Sequence, residues 1–207
     1  MLCTASFTKR WLAQESLCEV FTMLQMPPIP SWDGLHPLII HFPIALLLVA
    51  PLLVLVGALL KSEKGRPVLY VALALMVVGT LSIFLAASTG EAAGKLAERT
   101  PQIDAVLERH EELADATRSV FSGLTVIFAA IMFAPMAFQK LSGRLISTAL
   151  PLVFLLFYGV GVLLLTNTAH NGGRLVHEFG VRAMVAPSAV PVADNTAEGG
   201  VQKVDRD

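Results

Sequence analysis

Residues 36–60 read "HPLIIHFPIALLLVAPLLVLVGALL". From Pro37 to Leu60 there is no Asp, Glu, Lys or Arg. A helix of about 20 apolar residues crosses a hydrocarbon core of roughly 30 Å at about 1.5 Å per residue. This run is therefore long enough to span a membrane. Three more runs of similar character follow, Val68–Ala87, Val120–Phe138 and Leu145–Leu165. Composition agrees: 55% of the 207 residues are hydrophobic and 15% are charged, against about 25% charged in soluble domains, and mean hydropathy is +0.67. The pattern predicts an all-α integral membrane four-helix bundle, with short loops forcing antiparallel neighbours. Pro43 and Pro51 interrupt the first run; a membrane helix tolerates this where neighbours satisfy the freed carbonyl. Gly57, Gly79, Gly123, Gly159 and Gly161 favour close helix approach.

The remaining chain divides around that domain, which is placed at 34–182. Residues 1–33 form an N-terminal tail. Lys9 and Arg10 are followed by Glu15 and Glu19 rather than a long apolar core, so the tail does not resemble a cleavable signal peptide. Met26 begins "MPPIPSWDG" and is an alternative start. Residues 183–207 are polar and rich in Pro, Ala and Gly, the composition of a disordered tail. A net charge of −1 supplies no basic surface for nucleic acid. Both cysteines, Cys3 and Cys18, lie in the N-terminal tail. No Cys-x-x-Cys-His is present, which excludes covalent c-type haem, and thiolate zinc or iron–sulfur sites have no ligands in the domain.

Orientation follows from the loops. "KSEKGRP" (61–67) and "QKLSGR" (139–144) share one side and carry Lys61, Lys64, Arg66, Lys140 and Arg144 against a single acid, Glu63. Dense basic charge in short loops marks the cytoplasmic face. The N-terminal tail, the 88–119 segment and the C-terminal tail fall on the other side. Their basic residues are diluted over longer segments and mixed with acids. Both termini are thus expected on the opposite, non-cytoplasmic side, which in a bacterial inner membrane is the periplasm.

All five histidines fall on that second side. His36 and His41 begin helix one, His110 lies in the 88–119 segment, and His170 and His177 follow helix four. Thr100-Pro101 reads as an N-cap followed by proline at the first helical position. From there Ile103, Val106, Leu107, Leu113, Ala114, Thr117, Val120 and Leu124 form one stripe. Helix three should therefore run from about Pro101 to Phe138 and project beyond the bilayer. His110 falls in the stripe, facing the bundle, with Arg109, Glu111, Glu112, Asp115 and Arg118 outside. On the helical rise it stands roughly 12 Å above the hydrocarbon and His170 roughly 7 Å. His36 and His41 are separated by about 140° of helix turn. His41 is taken as the inward ligand, and His36, ahead of Pro37, as cap or second ligand. Asn171-Gly172-Gly173 is expected to stop helix four. "RLVHEFGV" (174–181) would then fold back as a lid.

Each of these residues also has an ordinary reading. An interfacial histidine is often a cap or merely exposed, an interfacial Glu91 solvated, and Arg174 a snorkelling cation. The joint pattern is what points to a cofactor: bundles build such sites in their cores from facing helices. Imidazole suits iron in haem, copper and zinc. Without cysteine, bis-histidine haem b is the sharpest option. His36 or His41 would pair with His110 or His170, Gly90 and Gly94 would leave room for the porphyrin ring, and Arg174 would serve a propionate. Glu91 and His177 would support the ligands from behind. A copper or zinc site built from His41, His110, His36 and His170 is the rival. A non-catalytic membrane subunit or scaffold, with no cofactor, is the reading from another class. No nucleophile–base constellation points to hydrolysis, and no charged residue lies mid-span to suggest a transporter. An electron-transfer or accessory role is favoured over an enzyme. Partners would be the lipid bilayer, a periplasmic or membrane redox protein, and other subunits in a homo- or hetero-oligomer.

Four segments, "LHPLIIHFPIALL" (35–47), "STGEAAG" (88–94), "HEELA" (110–114) and "AHNGGRLVHEFGV" (169–181), resemble the domain-of-unknown-function 2231 family of bacterial membrane proteins. The His-Pro-x-x-x-His-Phe-Pro motif is the most specific of them. The resemblance covers most of 34–182 and leaves both tails out. It implies a four-helix membrane domain. It also implies a redox setting, because members are sometimes joined to Rieske iron–sulfur or cytochrome-like modules. This chain carries no such module, and it has His177 where relatives often carry an aromatic.

Overall fold

The structure, a computed structural model, describes residues 29–137 and 144–181. Both tails beyond these limits and residues 138–143 lie outside the described residues. Four helices are long and apolar enough to cross a membrane, and among the described residues there is no strand. Helix α1 covers Asp33–Leu59. It opens as a 3-10 turn at Asp33–Leu35, makes one α-turn at His36–Ile39, and after Ile40 runs regularly over His41–Leu59. The irregularity at Ile40 precedes Pro43, which has no N–H to continue the helical ladder. Helix α2 is Ser62–Gly94, α3 is Pro101–Ala137 and α4 is Arg144–His177.

The helices form a ring in which α1 packs on α2, α2 on α3, α3 on α4, and α4 on α1. Helices α1 and α3 are thus diagonal to each other, as are α2 and α4. The α1–α2 hairpin is tight because two glycines meet: a Cβ on Gly65 would collide with the carbonyl oxygen of Gly57. At the other end Thr100 caps α3, its Oγ1 accepting from the Ile103 amide at 3.3 Å, with Pro101 at the first helical position as the sequence predicts.

The bundle core is built from Leu47, Val54, Met76, Phe121, Phe128 and Tyr158, all fully buried. Phe128 stacks on Phe154 at 4.9 Å and Phe121 meets Tyr158 edge-on at 5.4 Å. The outer surface is equally apolar, with Leu52, Leu81, Val126, Leu156, Phe157 and Leu163 exposed. In lipid such side chains need no burial, so packing and hydrogen bonds hold the helices together. One of those bonds answers a proline. Pro51 cannot donate to the Leu47 carbonyl, and the Tyr158 hydroxyl donates to it instead, at 2.8 Å across α4 to α1. Buried threonines pair between helices as well: Thr80 with Thr125 and Thr117 with Thr168, both at 2.8 Å.

Two expectations for α4 are corrected. The helix does not stop at Asn171-Gly172-Gly173 but continues to His177. It ends where the Glu178 and Phe179 amides both reach back to the Arg174 carbonyl, and Gly180 then takes a left-handed φ of 66°, the usual role of glycine just past a helix. Nor does 174–181 fold back as a lid. Only Phe179 and Val181 turn back, onto a second small core of Ile103, Val106, Leu107 and Leu175. Burial of Leu175 in that core holds the last helical turn despite two preceding glycines, each costing about 1 kcal/mol in a helix interior.

Candidate functional site

Two of the five histidines enter the bundle, and they do so in the same way. His36, half-buried on α1, places Nδ1 2.9 Å from the Ala86 carbonyl oxygen of α2. His110, half-buried on α3, places Nδ1 2.9 Å from the Thr168 carbonyl oxygen of α4. A carbonyl only accepts, so Nδ1 carries the proton in both rings and Nε2 of the neutral ring keeps its lone pair. No protein hydrogen bond to either Nε2 is found among the described residues. His36 Nδ1 also lies 3.2 Å from Thr89 Oγ1, a hydroxyl already bonded within its own helix to the Leu85 and Ala86 carbonyls.

A glycine makes each contact possible. In a helix the carbonyl of residue i is covered from the side of residue i+4, whose amide it accepts. Four residues after Ala86 stands Gly90, and four after Thr168 stands Gly172. A Cβ on Gly90 would lie 2.9 Å from Cε1 of His36, and one on Gly172 3.0 Å from Cε1 of His110. The missing side chains admit the rings to the helix backbone.

The other proposed site residues are placed differently. His41 is exposed; the inward position expected of it belongs to His36, which the 140° separation permits and which the turn before Pro43 leaves facing α2. His170 and His177 are exposed on α4. Arg174 is paired through Nε with Glu178 Oε2 at 3.0 Å rather than standing free over the mouth. Glu91 is exposed, and among the described residues it bonds no histidine; the Ala86 and Thr168 carbonyls hold the rings of His36 and His110 instead. Gly90 makes room for the ring of His36 itself. Gly94 is buried against Leu107 and Glu111 of α3. Among the described residues no group of three or more His, Cys, Asp or Glu side chains is gathered for a metal. Of the four candidate histidines, His36 and His110 are the two that contact a neighbouring helix.

Sequence reasoning missed Gly172, Thr89, Thr117 and Thr168. Sequence alone reads the glycine as a helix stop and Thr117 as a stripe residue, and gives Thr89 and Thr168 no role. A signal was present: "GTLSIFLAASTG" (79–90) and "GVLLLTNTAHNG" (161–172) share a glycine at each end and align without a gap.

Four membrane-crossing helices with paired histidines at one mouth define the class: an all-α membrane protein. The chain belongs to the family described as Predicted membrane protein (DUF2231), whose model matches residues 33–184. The match takes in all four helices and both histidine–glycine contacts. Neither a curated protein nor a solved structure matches the chain.

Proposed function

We propose that this is a redox protein of a bacterial inner membrane that binds haem b at the histidine-bearing, periplasmic mouth of the bundle and passes electrons to a periplasmic or membrane partner. His36 of α1 and His110 of α3 would supply the axial nitrogens. One observation carries the reading: both rings engage a backbone carbonyl through Nδ1 and keep Nε2 free. That is how ligating histidines are commonly oriented, with the carbonyl fixing the tautomer and raising the basicity of the other nitrogen. The donor set fits a haem iron; the anticipated propionate partner, Arg174, is engaged by Glu178. When bound, haem would supply one-electron chemistry. The chain's own contribution is to hold two neutral imidazoles in fixed orientation against the backbones of α2 and α4.

The test is an absorption spectrum of detergent-purified protein, oxidised and dithionite-reduced, from cells supplied with ample haem. A Soret band with sharpened α and β bands on reduction is expected. Its absence, with a negative pyridine haemochrome assay, would sink the proposal.

A second reading draws on the same hydrogen bonds. His36 ties α1 to α2 and His110 ties α3 to α4, so both can be interhelix clasps in a cofactor-free membrane subunit or scaffold. That reading expects a colourless protein that co-purifies with a larger complex. A copper or zinc centre of three or four histidines has less support, because His41 and His170 stand exposed.

A further inference from the structure

The two histidine–glycine contacts belong to a larger correspondence. Shifting α1 by 74 positions onto α3 (from 36 to 110) superposes Leu47 on Phe121, Ala50 on Leu124 and Val54 on Phe128, and all six are buried. Shifting α2 by 82 positions onto α4 (from 90 to 172) superposes Met76 on Tyr158, Gly79 on Gly161 and Ile83 on Leu165, again all buried. Matching burial alone would be weak, since any two core helices share a period. The cross-helix contacts are independent of that period. A Cβ on Gly79 would meet Leu47, and one on Gly161 would meet Phe121, the residue that Leu47 maps to. His36 bonds Ala86 and rests on Gly90; His110 bonds Thr168 and rests on Gly172. The same two shifts satisfy every one of these contacts. The packing order fits too, since exchanging α1 with α3 and α2 with α4 leaves the ring of helices unchanged.

We infer that the domain is a duplicated helical hairpin with a pseudo-two-fold axis running down the bundle, and that His36 and His110 form one metal-binding site on that axis, one imidazole from each repeat. The histidines sit on the diagonal helices, so the axis passes between them. Symmetry makes the two imidazoles equivalent, so a metal held on the axis would meet both alike. The clasp and the ligand roles are then compatible: Nδ1 serves the hairpin and Nε2 the metal. As regards haem, this rests on the reading above; the symmetric imidazole pair does not.

The experiment therefore has two arms, both on the full chain in detergent. His36→Asn and His110→Asn are the variants, because an asparagine amide nitrogen can take the place of Nδ1 on the carbonyl while removing Nε2. In the first arm Cu²⁺ alone is the probe. Electron paramagnetic resonance of the haem-free protein should show one copper per chain with splitting from two imidazole nitrogens. Each Asn variant should lose one nitrogen and weaken binding at least tenfold, and to a similar degree. His41→Ala/His170→Ala/His177→Ala should change neither. Copper that follows the exposed trio, or ignores one member of the pair, overturns the inference. In the second arm haem-loaded protein is examined. Each Asn variant should convert a six-coordinate low-spin spectrum to a five-coordinate one, with added imidazole restoring the first. A haem lost or altered by one variant only overturns the symmetric site while leaving a haem protein. A protein that takes no haem but holds copper by both rings overturns the haem reading and supports the site.

Discussion

At the scale of single residues, Gly90 and Gly172 matter as much as the histidines. Each lacks a side chain where an imidazole must touch helix backbone. Gly90→Ala would put a methyl carbon 2.9 Å from Cε1 of His36, and Gly172→Ala one 3.0 Å from Cε1 of His110, inside ordinary contact with a ring fixed by its carbonyl bond. Overpacking of this kind costs about 1–3 kcal/mol. A drop of several degrees in thermal midpoint is expected for each, together with loss of any ligand held by the displaced ring. Gly159→Ala is the control: nothing lies within 4 Å of a Cβ there, so its thermal midpoint should hold or rise, since glycine costs about 1 kcal/mol in a helix interior. Differential scanning fluorimetry in detergent checks all three. This is also the scale at which the sequence was least legible. His41 has the richer motif, between Ile40 and Phe42-Pro43, yet it is exposed. Which of two histidines faces inward depends on the phase of the first turn, and a proline-distorted turn has no fixed phase. Gly172-Gly173 resembled a stop because glycine usually ends helices. Only the ring of His110, 62 positions earlier (from 110 to 172), explains why a glycine is needed inside one.

Among whole elements, sequence and structure agree where lipid sets the rule. Four apolar runs became four helices, because a backbone in hydrocarbon must satisfy its own hydrogen bonds. The long α3 was legible from Thr100-Pro101 and a stripe unbroken from Ile103 to Leu124, since capping and periodicity are local. The extensions of α2 to Gly94 and α4 to His177 were not, because they rest on contacts with distant helices, such as His36 on Gly90 and Leu175 on Ile103. Interhelix hydrogen bonds of this type are worth about 0.5–2 kcal/mol in membranes. The Tyr158 bond to Leu47 is a clean case, because its acceptor is freed by Pro51. Tyr158→Phe should cost that amount in a reversible unfolding measurement in mixed micelles. Pro51→Ala restores a backbone donor to the same carbonyl, so in the Pro51→Ala background the Tyr158→Phe cost should fall by half or more. Equal costs in the two backgrounds would mean that the hydroxyl does not act through the Leu47 carbonyl.

For the molecule as a whole, orientation decides what the histidine mouth can meet. The α1–α2 turn, the end of α3 and the start of α4 share one face, and the 95–100 linker and the histidines share the other. Lys61, Lys64 and Arg66 crowd the first face against Glu63. Beside the second face the charges are balanced, with Arg99 on Asp104, Arg109 on Glu112 and Arg118 on Asp115. Exposed pairs of this sort add little stability. The expected topology rests on the dense basic residues of the short loops near the helix ends, because longer segments translocate largely regardless of their charge. The expected topology has a direct reading in intact cells. With Cys3 and Cys18 replaced by serine, a single cysteine at Glu98→Cys, exposed between α2 and α3, should react with a membrane-impermeant maleimide admitted to the periplasm. A single cysteine at Lys64→Cys, exposed at the opposite end, should react only after the inner membrane is permeabilised. The reverse pattern would turn the histidine mouth toward the cytoplasm. His36 and His110 would keep their geometry, but a bound redox centre would then exchange electrons with cytoplasmic donors, and the periplasmic partner proposed for it would have no access.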